Sequence, residues 1–594
     1  MSDDGTLILR NPQITEPGHL GRILTTDWFD VDRPGLAIGY YRPVSKLSLR
    51  ATWALAGPRP FWFHVGNVAA HGVAVLALAL LLRALAGPAA ALLGALLFAV
   101  HPMTVQAVDI VTARSDLLAA LFSLWACAAL VAFARTGKRV LVAACAVASL
   151  LAFGSKESAA LLPAILAVVG LVAGLPPRRL AAALAPVLAG EALVLALRAA
   201  AVHVAPRPNG LAALPWSERG LAVLKALGTY GASLATGAPI VRLPQLPGGL
   251  SDPLVFLGAL LAGCGVLAVV LLPRTRLAGF GAALIGASLA PALALWLIHI
   301  PRWHREVPVA ERWLYLPCAG AGILWAALAA RFPRRPVQAG IAAVTLAMAA
   351  LTVDRSAMYA SQEAMSRYVE AWYVGADETR MNPRERYFAR TMRAAQLLRE
   401  GRREDALRLL YEADAIVPAV PTHLPVIARL ELDLGRPDRA VGALERLLSP
   451  SFATDPEAVS QRLAFGSDEM ERLDRAPYED LLGRAYGAAG RSRESVDAFA
   501  AAARTARGRP EEADYLVDLA LALRGADRLG EARAALGEAA ARRPGWTRPQ
   551  LDLAALDLRE GRNEDARRRL EPIVAGGGPD AARAKELLSS GAPR

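Results

Sequence analysis

The sequence predicts an all-α fold in two parts, a polytopic membrane helix bundle followed by an α-solenoid. Three observations carry this expectation. Apolar runs dominate the 594-residue chain up to about Val353 and charged residues crowd the remainder, so two solvents are implied. Ten of the runs approach the roughly 20 residues that a bilayer crossing needs. After residue 384 the pattern changes to short amphipathic helices joined by tight Gly- or Asp-centred turns.

The apolar segments are 62–84, 86–100, 115–134, 139–154, 158–175, 180–202, 253–272, 277–299, 313–331 and 337–353. The second and fourth are short and end at turn-like residues, His101-Pro102 and Gly154-Ser155. The stretch 219–241 carries Arg219 and Lys225 and reads as an interfacial or re-entrant helix that could also span. Basic residues fall in the connections after the first, third, fifth, seventh and ninth segments, which places those connections in the cytoplasm. The alternate loops, residues 1–61 and everything after Val353 are then extracytoplasmic. Four domains result: a first loop at 1–61, the membrane domain at 62–353, a linker helix at 354–383 and the repeats at 384–594.

The net charge of +12 does not indicate nucleic acid, because 61 of the 66 basic residues are Arg and many occupy the connections between apolar runs. Cys127, Cys145, Cys264 and Cys318 stand singly with no metal-ligand spacing and read as small apolar side chains. The Ala- and Arg-rich, Lys-poor usage suits a GC-rich bacterial genome.

The repeats declare themselves in a recurring phrase: GRREDALRLL at 401, GRPDRAVGAL at 435, GRSRESVDAF at 490, ADRLGEARAAL at 526 and GRNEDARRRL at 561. The small residue after each acidic turn is Ala406, Ala440, Ser495, Ala532 and Ala566, and Pro418 and Pro544 follow two of them at a fixed offset. A spacing of about 34 residues is that of tetratricopeptide (TPR) repeats. An insertion, SPSFATDPEAVSQRLAFGSDEMERLDRAP at 449–477, interrupts the series as either a loop or a degenerate repeat. Such a solenoid offers a binding groove for a protein or peptide.

The expected outer loops hold His101, Arg114, Asp116, Lys156, Glu157, Glu311 and Arg312, with Arg42 in the first loop. Singly, each is an ordinary headgroup-level charge. Asp116 and Glu157 each open an apolar run and suit a helix N-terminus as well. Together, charge gathered at the outer ends of several helices is what an enzyme acting on a lipid-borne anion needs.

Four strings then carry a family resemblance: YYRPVSKLSLRATWALAGPRPFWFHVGNVAAHGVAVLAL (40–78), LLFAVHPMTVQAVDIVTARSDLLAALFSL (96–124), SKES (155–158) and VAERWLYLP (309–317). With the repeats they resemble the transmembrane and TPR-containing O-mannosyltransferase family and its bacterial relatives, within the C-type glycosyltransferase (GT-C) superfamily. The resemblance implies a GT-C-like bundle whose first family helix is missing here, as from a mis-assigned start codon. It implies a multi-pass protein of the bacterial inner membrane. Its implied activity is that of an inverting, polyprenyl-phosphate-sugar-dependent glycosyltransferase, moving mannose to Ser or Thr hydroxyls of exported proteins.

In that family an acidic pair stands in the first outer loop before an Asn-Pro turn and a Tyr-Arg-Pro motif. The counterparts are Asp3-Asp4, Asn11-Pro12 and Tyr41-Arg42-Pro43. The resemblance thus implies Asp3 or Asp4 as the catalytic carboxylate. Donor-phosphate contacts are expected from Arg42, His101, Arg114, Lys156 and Arg312, with Asp116, Glu157 and Glu311 supporting. Relatives often carry Glu where this chain has Gln106, so no acid/base role is carried to it. No ligand set demands a metal, although a divalent cation, Mg or Mn, would suit the Asp pair. Two other classes stay open at this stage: a membrane-anchored TPR scaffold or lipid-transport module, and a glycosyltransferase acting on lipid or cell-wall glycan.

Overall fold

The computed structural model describes residues 5–9, 11–28, 40–202, 214–240, 244, 246–247, 249–299, 307, 309–373, 381, 383–418, 423–449 and 475–590. Asp3, Asp4 and residues 450–474 of the insertion lie outside the described residues. No strand occurs among those described. The chain divides into two compact units, Met1–Val369 and Glu370–Arg594.

Every apolar segment of the first unit is helical. The helices are α1 (Pro43–Ala56), α2 (Pro60–Ala86), α3 (Pro88–Ala99), α4 (Val105–Asp109), α5 (Arg114–Thr136), α6 (Val140–Ser155), α7 (Leu162–Val172), α8 (Pro177–Ala201), α9 (Trp216–Thr236), α10 (Pro253–Val270), α11 (Leu277–His299), α12 (Tyr315–Arg331) and α13 (Arg335–Met358). Proline at the start and glycine at the end punctuate them. Pro60 opens α2, Gly87 at φ 87° closes it, and Pro88 opens α3 at once, where the missing N–H costs nothing.

Among the described residues, seven stretches are long and apolar enough to cross a membrane, or eight if a bent pair counts as one span. All ten expected segments are present as helices: seven at full length, one as the first arm of a bent pair and two as shorter apolar helices. The bent pair is Pro88–Ala99 with Pro102–Asp109, which turn through 52° at His101-Pro102. The other two apolar helices are shorter. α6 has 16 residues, about 24 Å, against a hydrocarbon core of about 30 Å. Its shortness has a local cause: the chain leaves the helix at Lys156, which is extended at φ −160° and ψ 144°.

The 219–241 segment forms α9, and its two charges are internally satisfied. Arg219 Nε donates to Leu214 O at 2.6 Å, and Lys225 Nζ pairs with Asp252 Oδ2 at 2.6 Å. α9 and α10 touch backbone to backbone, since a Cβ on Gly228 would lie 1.9 Å from Leu254 O and one on Gly258 1.8 Å from Leu224 O. One continuous apolar core, containing Leu78, Phe98, Leu124, Leu166, Phe280 and Ile323, joins α2, α3, α5, α7, α11 and α12.

The second unit is a run of helical hairpins. They are α14 (Pro383–Arg399) with α15 (Arg403–Ile416), α16 (Leu424–Asp433) with α17 (Pro437–Leu448), α18 (Ala476–Ala488) with α19 (Ser492–Thr505), α20 (Glu512–Gly525) with α21 (Leu529–Arg542), and α22 (Thr547–Arg559) with α23 (Asn563–Gly576), followed by α24 (Asp580–Ser590). Each recurring phrase marks the turn inside one hairpin. Gly401, Gly435, Gly490 and Gly561 sit there at φ 72–76°, and Asp527 takes the same left-handed place at φ 59°. Ala406, Ala440, Ala532 and Ala566 are fully buried between the paired helices. Ser495 is also buried and its hydroxyl donates to Gly483 O at 2.7 Å, which explains the one departure from Ala.

Candidate active site

Four chain breaks meet at one end of the bundle. Arg42 precedes α1, a 3₁₀ turn at Val111–Ala113 precedes α5, Lys156 and the 3₁₀ turn Glu157–Leu161 follow α6, and the 3₁₀ turn Glu311–Leu314 leads into α12. α1 is fixed to α6 by Ser45 Oγ donating to Ser155 O at 3.0 Å. It is also fixed by Val44 lying where a Cβ on Gly154 would fall, at 2.7 Å. That glycine lets the first loop reach the SKES turn.

Between these breaks lies a cavity of about 430 Å³, lined among others by Arg42, Asp116, Lys156, Glu157 and Arg312. Its walls then turn apolar. Ala119, Ala120 and Ser123 continue down α5 from Asp116, facing Pro291 and Ala292 of α11 and Leu316 of α12. The seven-residue step from Asp116 to Ser123 spans about 10 Å of helix. A charged mouth over an apolar shaft suits a ligand with an anionic head and a hydrocarbon tail.

The charges in the mouth are arranged in pairs with one left over. Arg42 Nε and Nη2 reach Glu157 Oε2 at 3.0 and 2.9 Å, while Glu157 Oε1 accepts from Tyr41 N at 2.9 Å. The Arg42 guanidinium also lies over the Tyr40 ring at 4.6 Å and the Trp28 ring at 5.7 Å. Lys156 Nζ is paired with Asp116. Burial pushes Lys156 down to about 8, with Arg42 and Arg312 nearby adding to the shift and Asp116 opposing it. The Arg312 side chain is exposed and has no carboxylate partner among the described residues. Among the described lining residues, three cations stand against two carboxylates, and Arg312 is the cation without a carboxylate partner.

Two of the expected donor-phosphate residues are placed elsewhere. His101 is buried, with Nδ1 accepting from Met103 N at 3.2 Å and Nε2 donating to Leu234 O at 3.0 Å, so it caps the turn at Pro102 and ties it to α9. Arg114 points from the start of α5 into α1 and α2. Its Nε donates to Asn67 Oδ1 at 2.7 Å, Nη2 to Phe63 O at 2.7 Å and Nη1 to Thr52 Oγ1 at 2.8 Å. Neither lines the cavity. Glu311 pairs with Arg355 of α13 and accepts from Ile240 N at 2.5 Å, so it fixes the turn that presents Arg312.

Several lining groups went unnoticed in the sequence: Trp28, Tyr40, Ser115, Trp313 and Tyr315. Tyr40 adjoins the Tyr-Arg-Pro motif and Trp313 adjoins Arg312, so sequence adjacency to a candidate cation was the available signal. Arg355 had none, because it follows the last apolar segment like any headgroup-level charge. Among the described residues no group of three His, Cys, Asp or Glu side chains is disposed to hold a metal. The acidic pair Asp3-Asp4 lies outside those residues, although Leu7, three positions later, lines the cavity.

No family model matches the chain. Among curated proteins it is similar to human protein O-mannosyl-transferase TMTC4, with 34% identity over 138 residues, covering 20% of this chain and 19% of that protein. It is also similar to mouse protein O-mannosyl-transferase TMTC1, with 36% identity over 132 residues, covering 21% and 14%. The chain thus spans about a fifth or less of the length of the curated relatives it matches. Among solved structures, MamA aligns with 33% of this chain and 95% of its own at 15% identity and a TM-score of 0.24. A thermophilic TPR protein of Thermus thermophilus, TTC0263, aligns with 34% and 98% at 20% identity and a TM-score of 0.23.

Proposed function

We propose that the chain is a membrane glycosyltransferase that moves a sugar, mannose by analogy with the relatives' names, from a polyprenyl-phosphate donor to Ser or Thr hydroxyls of exported proteins. In this reading it resides in a bacterial inner membrane, and the TPR repeats bind acceptor or partner proteins on the extracytoplasmic side. The observation that carries the proposal is the cavity, whose cationic mouth opens onto an apolar shaft. Arg312, which lines the mouth without a carboxylate partner among the described residues, is available to the phosphodiester of a lipid-phosphate sugar.

The chemistry then assigns roles. A hydroxyl is a weak nucleophile at neutral pH, so a carboxylate accepts its proton as the oxygen attacks the anomeric carbon. Asp3 or Asp4 takes that role. The new bond joins the acceptor oxygen to the anomeric carbon, and the bond from that carbon to the phosphate oxygen breaks. The leaving lipid phosphate gains charge, which fixed cations stabilise. Arg312 and Lys156 face it, while Arg42 is held by Glu157 as part of the wall. His101 and Arg114 act one layer away by shaping the loops. A single displacement of this kind inverts the anomeric centre. Asp116 and Glu157 are committed to their cations, so no step here is routed through a metal. A Mg or Mn ion would have to be held by Asp3 and Asp4.

The test is transfer of radiolabelled mannose from polyprenyl-phosphate mannose to exported proteins. Transfer is expected to disappear in the Asp3→Ala/Asp4→Ala double variant and to persist in Asp30→Ala. Normal transfer by the double variant removes the acid pair from the mechanism. Label found only in lipid or cell-wall glycan reassigns the acceptor.

A further inference from the structure

We infer that the TPR unit docks an extended acidic segment of a protein partner in a cavity over α17, between Arg439 and Arg446. The inference deepens the reading of the repeats as a protein-binding surface and rests on it. The cavity, of about 410 Å³, lies between the second helices of the first two hairpins, α15 and α17. Leu424 and Ile427 of α16, both buried, form its floor, and the exposed Tyr411 of α15 forms one wall.

Two residues of α17 at this cavity run against what its helix prefers. With the five recurring phrases aligned on their buried small residue, the position just before it is Asp405, Glu494, Glu531 and Asp565 in four hairpins and Arg439 in the second. In every case it is the third residue of the helix, where the helix dipole favours an acid and disfavours a cation. Two positions after the small residue the other hairpins carry Arg408, Asp497, Ala534 and Arg568, while α17 carries Gly442. A glycine inside a helix weakens it and is of use where another backbone comes close. Yet a Cβ on Gly442 would meet nothing within 4 Å. Among the described residues, packing calls for neither Arg439 nor Gly442, and both line the cavity. Breaches of local preference without a packing cause are expected where function constrains the sequence.

Arg439, Gly442 and Arg446 are spaced i, i+3 and i+7, so they share one face of α17 with the glycine between the two arginines. At the place of Arg446 the other hairpins have Glu412, Ala501, Glu538 and Pro572. Arg446 is anchored from below. Its Nη2 pairs with Asp414 Oδ1, which also accepts from His423 Nε2 at 2.7 Å, and His423 Nδ1 accepts from the Tyr387 hydroxyl at 3.1 Å. The remaining guanidinium nitrogens of Arg446 carry no hydrogen bond among the described residues. The Arg439 side chain is 64% exposed, and its one carboxylate contact among those residues is Glu431 Oε1 at 3.8 Å, an oxygen that already accepts from the Tyr411 hydroxyl at 2.6 Å. Seven residues of helix separate the two arginines by about 10 Å, and three residues of extended chain cover about the same distance. A partner with carboxylates at i and i+3 therefore sets one on each arginine, passes its backbone over Gly442 and turns an apolar side chain from between them into the cavity.

The probe is the peptide Gly-Glu-Leu-Phe-Glu-Gly, labelled with fluorescein at its N-terminus and amidated at its C-terminus, and its control has Gln in place of both Glu. Each is titrated into the detergent-solubilised full chain and followed by fluorescence anisotropy. The Glu peptide is expected to bind at least about tenfold more tightly than the Gln peptide, by a margin that shrinks as salt is added. Gly442→Leu, which fills the space over α17, and Arg439→Glu, which installs the acid of the other hairpins, are each expected to weaken the Glu peptide about tenfold or more. Gly442→Ala is expected to raise the melting temperature while weakening the peptide about threefold, an opposition that a merely structural glycine does not produce.

Equal affinity for the two peptides overturns the inference, because the arginines then read no charge, and so does absence of binding by the parent chain. Parent-like binding by both Gly442→Leu and Arg439→Glu also overturns it, and leaves the repeats a protein-binding surface that uses another face. Should Gly442→Leu not fold, Arg439→Glu at an exposed position decides. The wider reading of the repeats fails separately, if removal of 384–594 leaves transfer to protein unchanged.

Discussion

At the level of single residues, the site depends on which charges are paired. Glu157 holds Arg42 through two nitrogens and the Tyr41 backbone through its other oxygen. Glu157→Ala leaves the Arg42 guanidinium with its aromatic contacts and a long hydrogen bond to Ser115 Oγ at 3.4 Å, and is expected to lower stability by about 1–3 kcal/mol, with Glu157→Gln costing less. Thermal unfolding in detergent measures both, and equal melting temperatures for parent and Ala variant would remove the latch. Lys156 yields a pH prediction. Its proton is held below about 8 and lost above it, so transfer should fall as pH rises through that value. Arginine keeps its proton throughout, so Lys156→Arg should retain activity to higher pH. An unchanged alkaline limb in that variant contradicts the assignment. Stability moves the other way: between about 8 and the ordinary lysine value of 10.5 the unfolded chain holds a proton that the folded chain does not, so stability rises with pH there.

Residue by residue, sequence reading located the charges but not their directions. Arg114 and Asp116 are two positions apart at the start of one helix. Two residues along a helix turn the side chain through more than half a revolution, so one faces α1 and α2 and the other faces the cavity. That phase is set by what packs against α5, and spacing alone does not carry it. His101 shows the same limit, because a buried capping imidazole and a phosphate ligand read alike in a His-Pro turn.

At the level of elements, glycines set the closest approaches. The α9–α10 contact has no room for a side chain, with Leu254 O where a Cβ on Gly228 would lie. Gly228→Ala forces the helices apart and is expected to cost about 1–3 kcal/mol, read as a lowered melting temperature. Gly220→Ala in the same helix meets nothing within 4 Å and serves as the control. Equal effects of the two would show that the helices do not pack this way. In the repeats, Asp557 is buried and gathers Arg533 at 2.6 Å, Arg569 at 3.0 Å and Arg562 at 3.3 Å. Asp557→Ala removes the shared carboxylate while Arg533 and Arg562 keep Glu560 and Arg569 keeps Gln550, and is expected to destabilise the repeat unit by about 1–3 kcal/mol, read by thermal unfolding. The hairpin turns were fully legible, since Gly and Asp at a left-handed φ are a local requirement that the sequence states directly. The role of the polar turn that cuts α6 and α7 short was not, because only the structure shows that the turn faces a cavity.

At the level of the whole molecule, a membrane-type bundle and a solenoid are joined in one chain, and their boundary near Val369 follows the change of composition after Val353. Deleting 384–594 is expected to leave binding of citronellyl phosphate, a short soluble isoprenoid phosphate, intact and to abolish transfer to protein acceptors. Unchanged protein glycosylation in the truncated chain would mean that the repeats are not the acceptor surface.

Photo-crosslinking shows whether the cavity between α5, α11 and α12 receives the donor lipid. A benzophenone-bearing polyprenyl phosphate is irradiated with the full chain, and the adducts are mapped by mass spectrometry. Adducts are expected within 110–123, 288–292 and 312–316, suppressed by unlabelled polyprenyl phosphate and lost in Arg312→Gln. Adducts confined to other helices, or undiminished in Arg312→Gln, would place the donor lipid elsewhere.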